Sequence, residues 1–467
     1  MRGGVPRRKR VPTEVKMSSS SMSRREGGVL RRAGLTVALA LAILAVVPAI
    51  ASAAGVVSTP TSSTILYTGS GSADNVIVDD PSVTVYTFAE NLITETSTSC
   101  TLNTAPNPDV VTCTHATDWT AVTLNMGAGT DVVNASAVAN DGFTINGGDD
   151  DDGNIQGTAN NDTINGEGSS DDATATGLSG GPGNDTINGG AGVNGDIING
   201  GDGNDRLIGE EGDDVFNGDA GIDRVLYSVG CSESPPTISI DIDGVADDAG
   251  CNSETADNVG TTVESVTGST GIDTITGSCL ANTIAGDPGS TNGGGGAADT
   301  INGDPASGCS PNGTDFMGGG EGNDIFDGDG SGTAGFDTVT YGLPYSGHAQ
   351  TTATATGGSC STAGSGFAVR VTLDGTANDC DGFGNTDNVH TDIERLIGSG
   401  LPDYLNGTGA AQGVQLFGRL GNDTLIGSPN GDFLDGEGGT DTLDCAGGTD
   451  AYRTDGGESI SNCETQL

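Results

Sequence analysis

Gly180-Gly181-Pro182-Gly183-Asn184-Asp185-Thr186-Ile187-Asn188 is followed shortly by Gly200-Gly201-Asp202-Gly203-Asn204-Asp205-Arg206-Leu207-Ile208, and the frame returns as Gly319-Gly320-Glu321-Gly322-Asn323-Asp324-Ile325-Phe326-Asp327. The pattern is G-G-x-G-x-D-x-U-x, with U large and apolar. Its Asp recurs every nine residues as Asp196, Asp205, Asp214 and Asp223, and again as Asp423, Asp432, Asp441 and Asp450. Looser copies begin at Gly209, Gly218, Gly268, Gly418, Gly427 and Gly436. Glycines at three of the first four positions permit backbone angles closed to other residues and let carbonyl oxygens converge. The Asp adds a hard anionic oxygen, and an all-oxygen shell suits Ca²⁺. The last three positions, as in Thr186-Ile187-Asn188, place one apolar side chain between two polar ones, a short strand with one side chain inward. Turn and strand, repeated, wind into a coil of parallel strands. Its thin core is expected from Ile187, Leu207, Phe216, Val225, Ile275, Phe326, Leu425, Leu434 and Leu443.

Composition agrees with a coil and argues against helices. Of 467 residues 81 are Gly, and Gly with Pro makes up about a fifth of the chain. Acidic residues number 64 against 16 basic, giving a formal net charge of −48. Ten of the basic residues lie in the first 32 positions, so the remainder is more acidic still. Such a surface repels nucleic acid and anionic membranes and attracts cations. Low apolar content with this charge is the composition of a disordered chain. The period overrules it, because stacked repeats bury a core that one unit cannot.

The nonapeptides resemble the hemolysin-type calcium-binding repeats of RTX proteins. The resemblance implies a parallel β-roll in which two nonapeptides make one turn and Ca²⁺ sits between loops on the same side. Asp196 would then face Asp214, Asp205 face Asp223, Asp423 face Asp441, and Asp432 face Asp450. It also implies several calcium ions, held by Gly180, Gly181, Gly183 and Asp185; by Asp196; by Gly200, Gly201, Gly203 and Asp205; by Asp214, Asp223, Asp273 and Asp299; by Gly319, Gly320, Gly322 and Asp324; by Asp337 and Asp403; and by Asp423, Asp432, Asp441 and Asp450. Departures limit the transfer. Asn282 replaces an Asp, two extra residues fall within 189–199, the period is lost over 286–317, and Asp149 to Asp152 form an acidic cluster read as out of phase.

A longer module overlies the short one. Asp223-Arg224-Val225-Leu226-Tyr227, Cys231, Cys251, Asp257-Asn258-Val259 and Val263-Glu264 recur in order as Asp337-Thr338-Val339-Thr340-Tyr341, Cys360, Cys380, Asp387-Asn388-Val389 and Ile393-Glu394. The expected organisation is an N-terminal β cap over 55–125, roll over 126–226, a β insert over 227–267, roll over 268–340, a second insert over 341–397, and roll with a C-terminal cap over 398–467. Segments 64–67, 76–78, 83–88, 110–114 and 122–124 alternate apolar and polar residues and read as cap strands. This arrangement resembles secreted calcium-binding repeat proteins of actinobacteria.

Residues 1–53 read as a secretory signal: basic to position 34, apolar over 35–47, then Ala51-Ser52-Ala53 as a cleavage site. Arg24-Arg25 and Arg31-Arg32 leave a twin-arginine route open beside the general one, and Met17 and Met22 are alternative starts. The apolar run is short of the ~20 residues that span a bilayer, so no stable membrane span is expected after cleavage. Ten cysteines follow the signal and no C-x-x-C occurs, which points to disulfides, with sequential pairing the economical hypothesis. An extracellular or cell-surface location follows, with any protein or glycan partner unknown.

Enzyme signatures are weak. His115, His348 and His390 are isolated in sequence and no H-E-x-x-H occurs. Gly177-Leu178-Ser179-Gly180-Gly181 imitates a nucleophile elbow but runs into the best calcium loop. Asp327-Gly328-Asp329-Gly330-Ser331-Gly332 imitates the start of an EF-hand loop, yet Thr338 stands at its bidentate position. The expectation is a secreted, non-enzymatic calcium-binding repeat protein with a structural or adhesive role. The alternative is an extracellular hydrolase or lyase carrying an RTX-like scaffold.

Overall fold

The computed structural model describes residues 55–58, 64–69, 74–82, 85–90, 93–95, 100–103, 109–114, 119, 121–149, 152–166, 177–191, 195–227, 237–250, 256–287, 297–305, 309, 313–320, 322–328, 336–341, 369–380 and 385–467. The expected signal segment lies outside them, as do Cys231, Cys251, Cys360, His115 and His348.

Short strands and tight turns alternate throughout, and successive strands fall on two opposite faces. On the first face strands pair in parallel from Thr64–Thr68 to Thr465–Gln466. Because most strands are only a few residues long, each of those contributes one central inward side chain, and register stacks these in a single file. Tyr67, Leu124, Ile145, Ile164, Ile187, Leu207, Val225 and Val266 are direct neighbours in that order. The file continues through Ile284, Met317, Val339, Leu396, Leu416 and Leu434 to Tyr452. On the second face Val76, Val133, Ile155, Leu178, Ile198, Phe216 and Val259 stack likewise. Every residue named above as expected core is buried. The chain is an all-β parallel roll two strands per coil, and its core is one side chain deep on each face.

The roll's parallel pairing reaches into the N-terminal segment. Thr64–Thr68 and Asn75–Ser82 pair in parallel with Ala121–Ala128 and Val132–Asn134, making the first coil. Beyond it Val85–Glu90, Asp109–Thr114 and Cys100–Asn103 add antiparallel strands to the second face. Tyr86, Phe88 and Trp119 are buried there, a thicker core than the roll has elsewhere.

The described pairings that interrupt the roll in both inserts fall on the second face. At the first, Arg224–Leu226 pairs directly with Ser265–Thr267, so the first face runs on unbroken. On the second face Asn258–Val259 continues the sheet from Val215–Gly221, then Asp257 bridges Asp248 and Ala249 bridges Ser239, both antiparallel, before Ser239–Asp241 resumes parallel pairing with Thr274–Thr276. The second insert repeats the plan: Thr386–Val389 pairs antiparallel with Asp379–Cys380, which pairs antiparallel with Arg370–Thr372, which pairs in parallel with Tyr404–Asn406. One buried carboxylate holds each. Asp248 accepts from the amides of Asp241 and Val259, and Asp379 from those of Thr372 and Val389. Each insert therefore gives the second face antiparallel pairings that the first face lacks.

Cys279–Cys309 and Cys445–Cys463 are disulfides between sequence neighbours, each with Cα atoms 5.1 Å apart. Cys113 and Cys380 are also disulfide-bonded, and Cys100 stands opposite Cys113 in the strand register. No helix among the described residues is long and apolar enough to cross a membrane.

Candidate metal centre

The Asp of each repeat turns inward at the point where a loop becomes a strand, and one of its oxygens ties coil to coil. On one edge of the roll the amide of Asp162 donates to Asp185 Oδ1 (2.7 Å), Asp185 to Asp205 Oδ1 (2.7 Å), and Asp205 to Asp223 Oδ1 (2.9 Å). On the other edge Asp196 donates to Asp214, Asp273 to Asp299, Asp299 to Asp324, and Asp403 to Asp423. The four facing pairs implied by the resemblance are all present as such bonds, Asp423 with Asp441 and Asp432 with Asp450 included.

The ladders contain residues that the nonapeptide frame does not reveal. Asp74, Asp131 and Asp152 form one run, which corrects the reading of the 149–152 cluster as wholly out of phase: Asp152 is buried and accepts from the Asp131 amide. Asp257 and Asp387 receive the amides of Asp214 and Asp324, and Asp315 joins Asn282 to Asp337. Where an insert or the chain end interrupts the period, a glutamate takes the Asp's place: Glu264 accepts from Asp223, Glu394 from Asp337 and Glu464 from Asp450.

The second carboxylate oxygen divides the loops into two kinds. Where the residue after the leading Gly is Ser or Thr, its amide and hydroxyl turn onto the Asp. Ser269 binds Asp273, Ser399 binds Asp403, Ser428 binds Asp432 and Thr158 binds Asp162, and Ser278 does the same for Asn282. These carboxylates are already satisfied, although the repeat pattern placed Asp273, Asp403 and Asp432 among the metal ligands.

In many of the other loops that second residue takes a positive φ, as at Gly181 (104°), Gly201 (113°), Gly320 (103°), Asp219 (69°), Arg419 (75°), Glu437 (59°) and Ala446 (59°). Its amide then turns away from the Asp. Oδ2 of Asp185, Asp205, Asp223, Asp423, Asp441 and Asp450 is buried with no hydrogen-bond partner, and so are those of Asp299 and Asp315. An unpartnered buried carboxylate oxygen is costly, and a bound cation removes that cost.

The leading glycine leaves room at this oxygen. A Cβ on Gly180 would lie 2.1 Å from Asp185 Oδ2 and 2.7 Å from the Gly200 carbonyl oxygen. On Gly200 it would lie 2.3 Å from Asp205 Oδ2 and 2.9 Å from the Gly218 oxygen, and on Gly418 2.4 Å from Asp423 Oδ2 and 2.9 Å from the Gly436 oxygen. Carboxylate and carbonyl oxygens of adjacent loops thus converge beside the one residue type that does not fill the space, a donor set matching the oxygen shells of Ca²⁺. The same crowding shifts the acids. Burial, with the neighbouring Asp162 and Asp205 carboxylates, raises Asp185 to about 7. Burial, with Asp273, Asp324 and Asp287, raises Asp299 to about 9, and burial, with Asp337 and Asp304, raises Asp315 to about 8.

Comparison with known families finds the repeat over part of the roll. The RTX calcium-binding nonapeptide repeat, a model of four copies, matches residues 178–194, 192–225 and 416–451. Those segments carry six of the unpartnered Oδ2 atoms, on Asp185, Asp205, Asp223, Asp423, Asp441 and Asp450. No curated protein matches the chain. With its repeats wound into a parallel roll and its loop carboxylates stacked along both edges, the chain carries RTX-type calcium-binding nonapeptide repeats over these segments.

Proposed function

We propose that the chain is a secreted, non-enzymatic scaffold whose roll folds on binding calcium, with a structural or adhesive role at the cell surface. The observation that carries this reading is the file of buried, same-sign carboxylates along each edge, many with one oxygen unpartnered. Without a cation these groups repel and remain unsolvated, while a core one side chain deep offsets little of the chain entropy. Calcium binding only the folded state supplies the missing free energy by linkage, at the roughly 10⁻⁴–10⁻³ M affinities of extracellular modules.

A calcium titration of the chain followed by far-ultraviolet circular dichroism tests the reading. Strand signal should grow cooperatively over that concentration range and fall sharply in chelator. A strand signal indifferent to chelator would overturn folding on binding. Fractionation of the producing cells tests the location, and activity assays on polysaccharide, ester and peptide substrates test the non-enzymatic assignment.

A further inference from the structure

The duplicated module gathers metal-ligating side chains in its second copy that the first copy lacks. In the second module Asp327, His390 and Asp392 converge at the junction of roll and insert, with one ligand atom from each lying within 4.8 Å of the others. His390 Nδ1 is 3.2 Å from Asp327 Oδ2. Atoms that share a tetrahedral ion at arms of about 2.0–2.1 Å stand roughly 3.3 Å apart, so this spacing already suits zinc. Asp327 Oδ1 is buried without a hydrogen-bond partner.

The first module shows what the junction needs structurally. There the equivalent residues are Asn217, Gly260 and Thr262, and the backbone is the same: the Gly260 amide donates to Phe216 O as that of His390 does to Phe326 O. Thr262 Oγ1 accepts the Gly218 amide at 3.0 Å, and Asp392 Oδ1 takes the corresponding Gly328 amide at 3.4 Å. A neutral trio therefore suffices to hold the joint. The second copy adds two carboxylates and an imidazole at a place where the fold does not require them.

We propose that Asp327, His390 and Asp392 bind a divalent transition ion of the zinc class, distinct from the calcium of the loops. An imidazole nitrogen is a poor partner for Ca²⁺ and a good one for Zn²⁺. His390 Nε2 lies 3.2 Å from the Asn388 amide, whose oxygen, once the amide is turned, accepts the Nε2–H of an imidazole bound through Nδ1. Three protein ligands leave a fourth tetrahedral position for water, and the three side chains are partly exposed, so an ion can reach them. The acidic surface raises the local cation concentration.

The test is Zn²⁺ equilibrium dialysis on the full chain held in 10 mM Ca²⁺, roughly tenfold or more above the calcium affinity range of such modules. Two variants are compared: His390→Asn, and a triple variant Asp327→Asn, His390→Gly, Asp392→Thr that copies the first module's own residues. The wild-type chain should bind one Zn²⁺ that both variants lose, with an affinity drop exceeding the roughly 10–100-fold typical of second-shell losses. Bound calcium and the dichroism spectrum should be unchanged. Equal zinc binding by wild type and the triple variant would overturn the assignment, and so would a zinc ion displaced one-for-one by added calcium.

Discussion

Asp205→Asn separates the two roles of a ladder carboxylate. Asn retains an Oδ1 able to accept the Asp185 amide at 2.7 Å, so the coil-to-coil bond survives, while the charge facing the Gly200 cradle is lost. If the loop site binds with an affinity of about 10⁻⁴–10⁻³ M, then 10 mM calcium supplies about 1.4–2.7 kcal/mol of local stability by linkage. In a repeat array that loss stays near the coil where it occurs. Amide exchange read by mass spectrometry should therefore accelerate about 10–100-fold in peptides from 178–226 and remain unchanged in those from 398–453. In chelator the sign should reverse. Neighbouring ladder carboxylates lie about one strand spacing apart, and a fully charged pair at ~5 Å repels by about 3 kcal/mol at an effective dielectric of 20. Removing the middle charge relieves two such pairs, so exchange should slow or hold level. Acceleration of equal size in both conditions would mean that Asp205 is a structural hydrogen-bonding residue and no calcium ligand.

Three further outcomes follow from the same geometry. Burial raises the acids of the metal-free fold, Asp423 to about 6, Asp185 and Asp223 to about 7, Asp315 to about 8 and Asp299 to about 9, from about 3.9 in the unfolded chain. Their contribution to metal-free stability is therefore full below pH ~4 and lost as pH rises through 6–9; dichroism in chelator should show more strand at pH 5 than at pH 8.5. Ser428→Ala strips the hydroxyl from Asp432, leaving a buried carboxylate less satisfied, and should cost about 1–3 kcal/mol with bound calcium unchanged; a lost calcium ion would show that the Ser loops also bind metal. Non-reducing peptide mapping should join Cys360 to the disulfide-bonded Cys380, and Cys231 to Cys251 in the matching module; a bond between Cys251 and Cys360 would break the equivalence of the inserts.

The nine-residue period by itself determined a coil of parallel strands. A strand of three residues with one apolar position can bury that side chain only by stacking on its copies, so Ile187, Leu207 and Val225 had to form a file, whereas the sharing of an edge by residues eighteen apart was implied by the resemblance to RTX repeats. Which loops are open was written more faintly, in the residue after the leading glycine. A Ser there satisfies Asp432 through its own amide and hydroxyl, and a left-handed residue leaves Asp441 exposed to the cradle, but the distinction becomes visible only when the carboxylate's partners are known.

Other features were decided by tertiary structure alone. Glu264 follows its ladder partner Asp223 by 41 residues, Glu394 follows Asp337 by 57, and Asp387 follows Asp324 by 63. An insert erases phase in the sequence and leaves the spacing of coils untouched, because a ladder hydrogen bond depends on the neighbouring coil and not on the number of residues between. For the same reason His390, isolated along the chain, stands beside Asp327: the strand Thr386–Val389, which His390 follows, pairs directly with Ile325–Asp327.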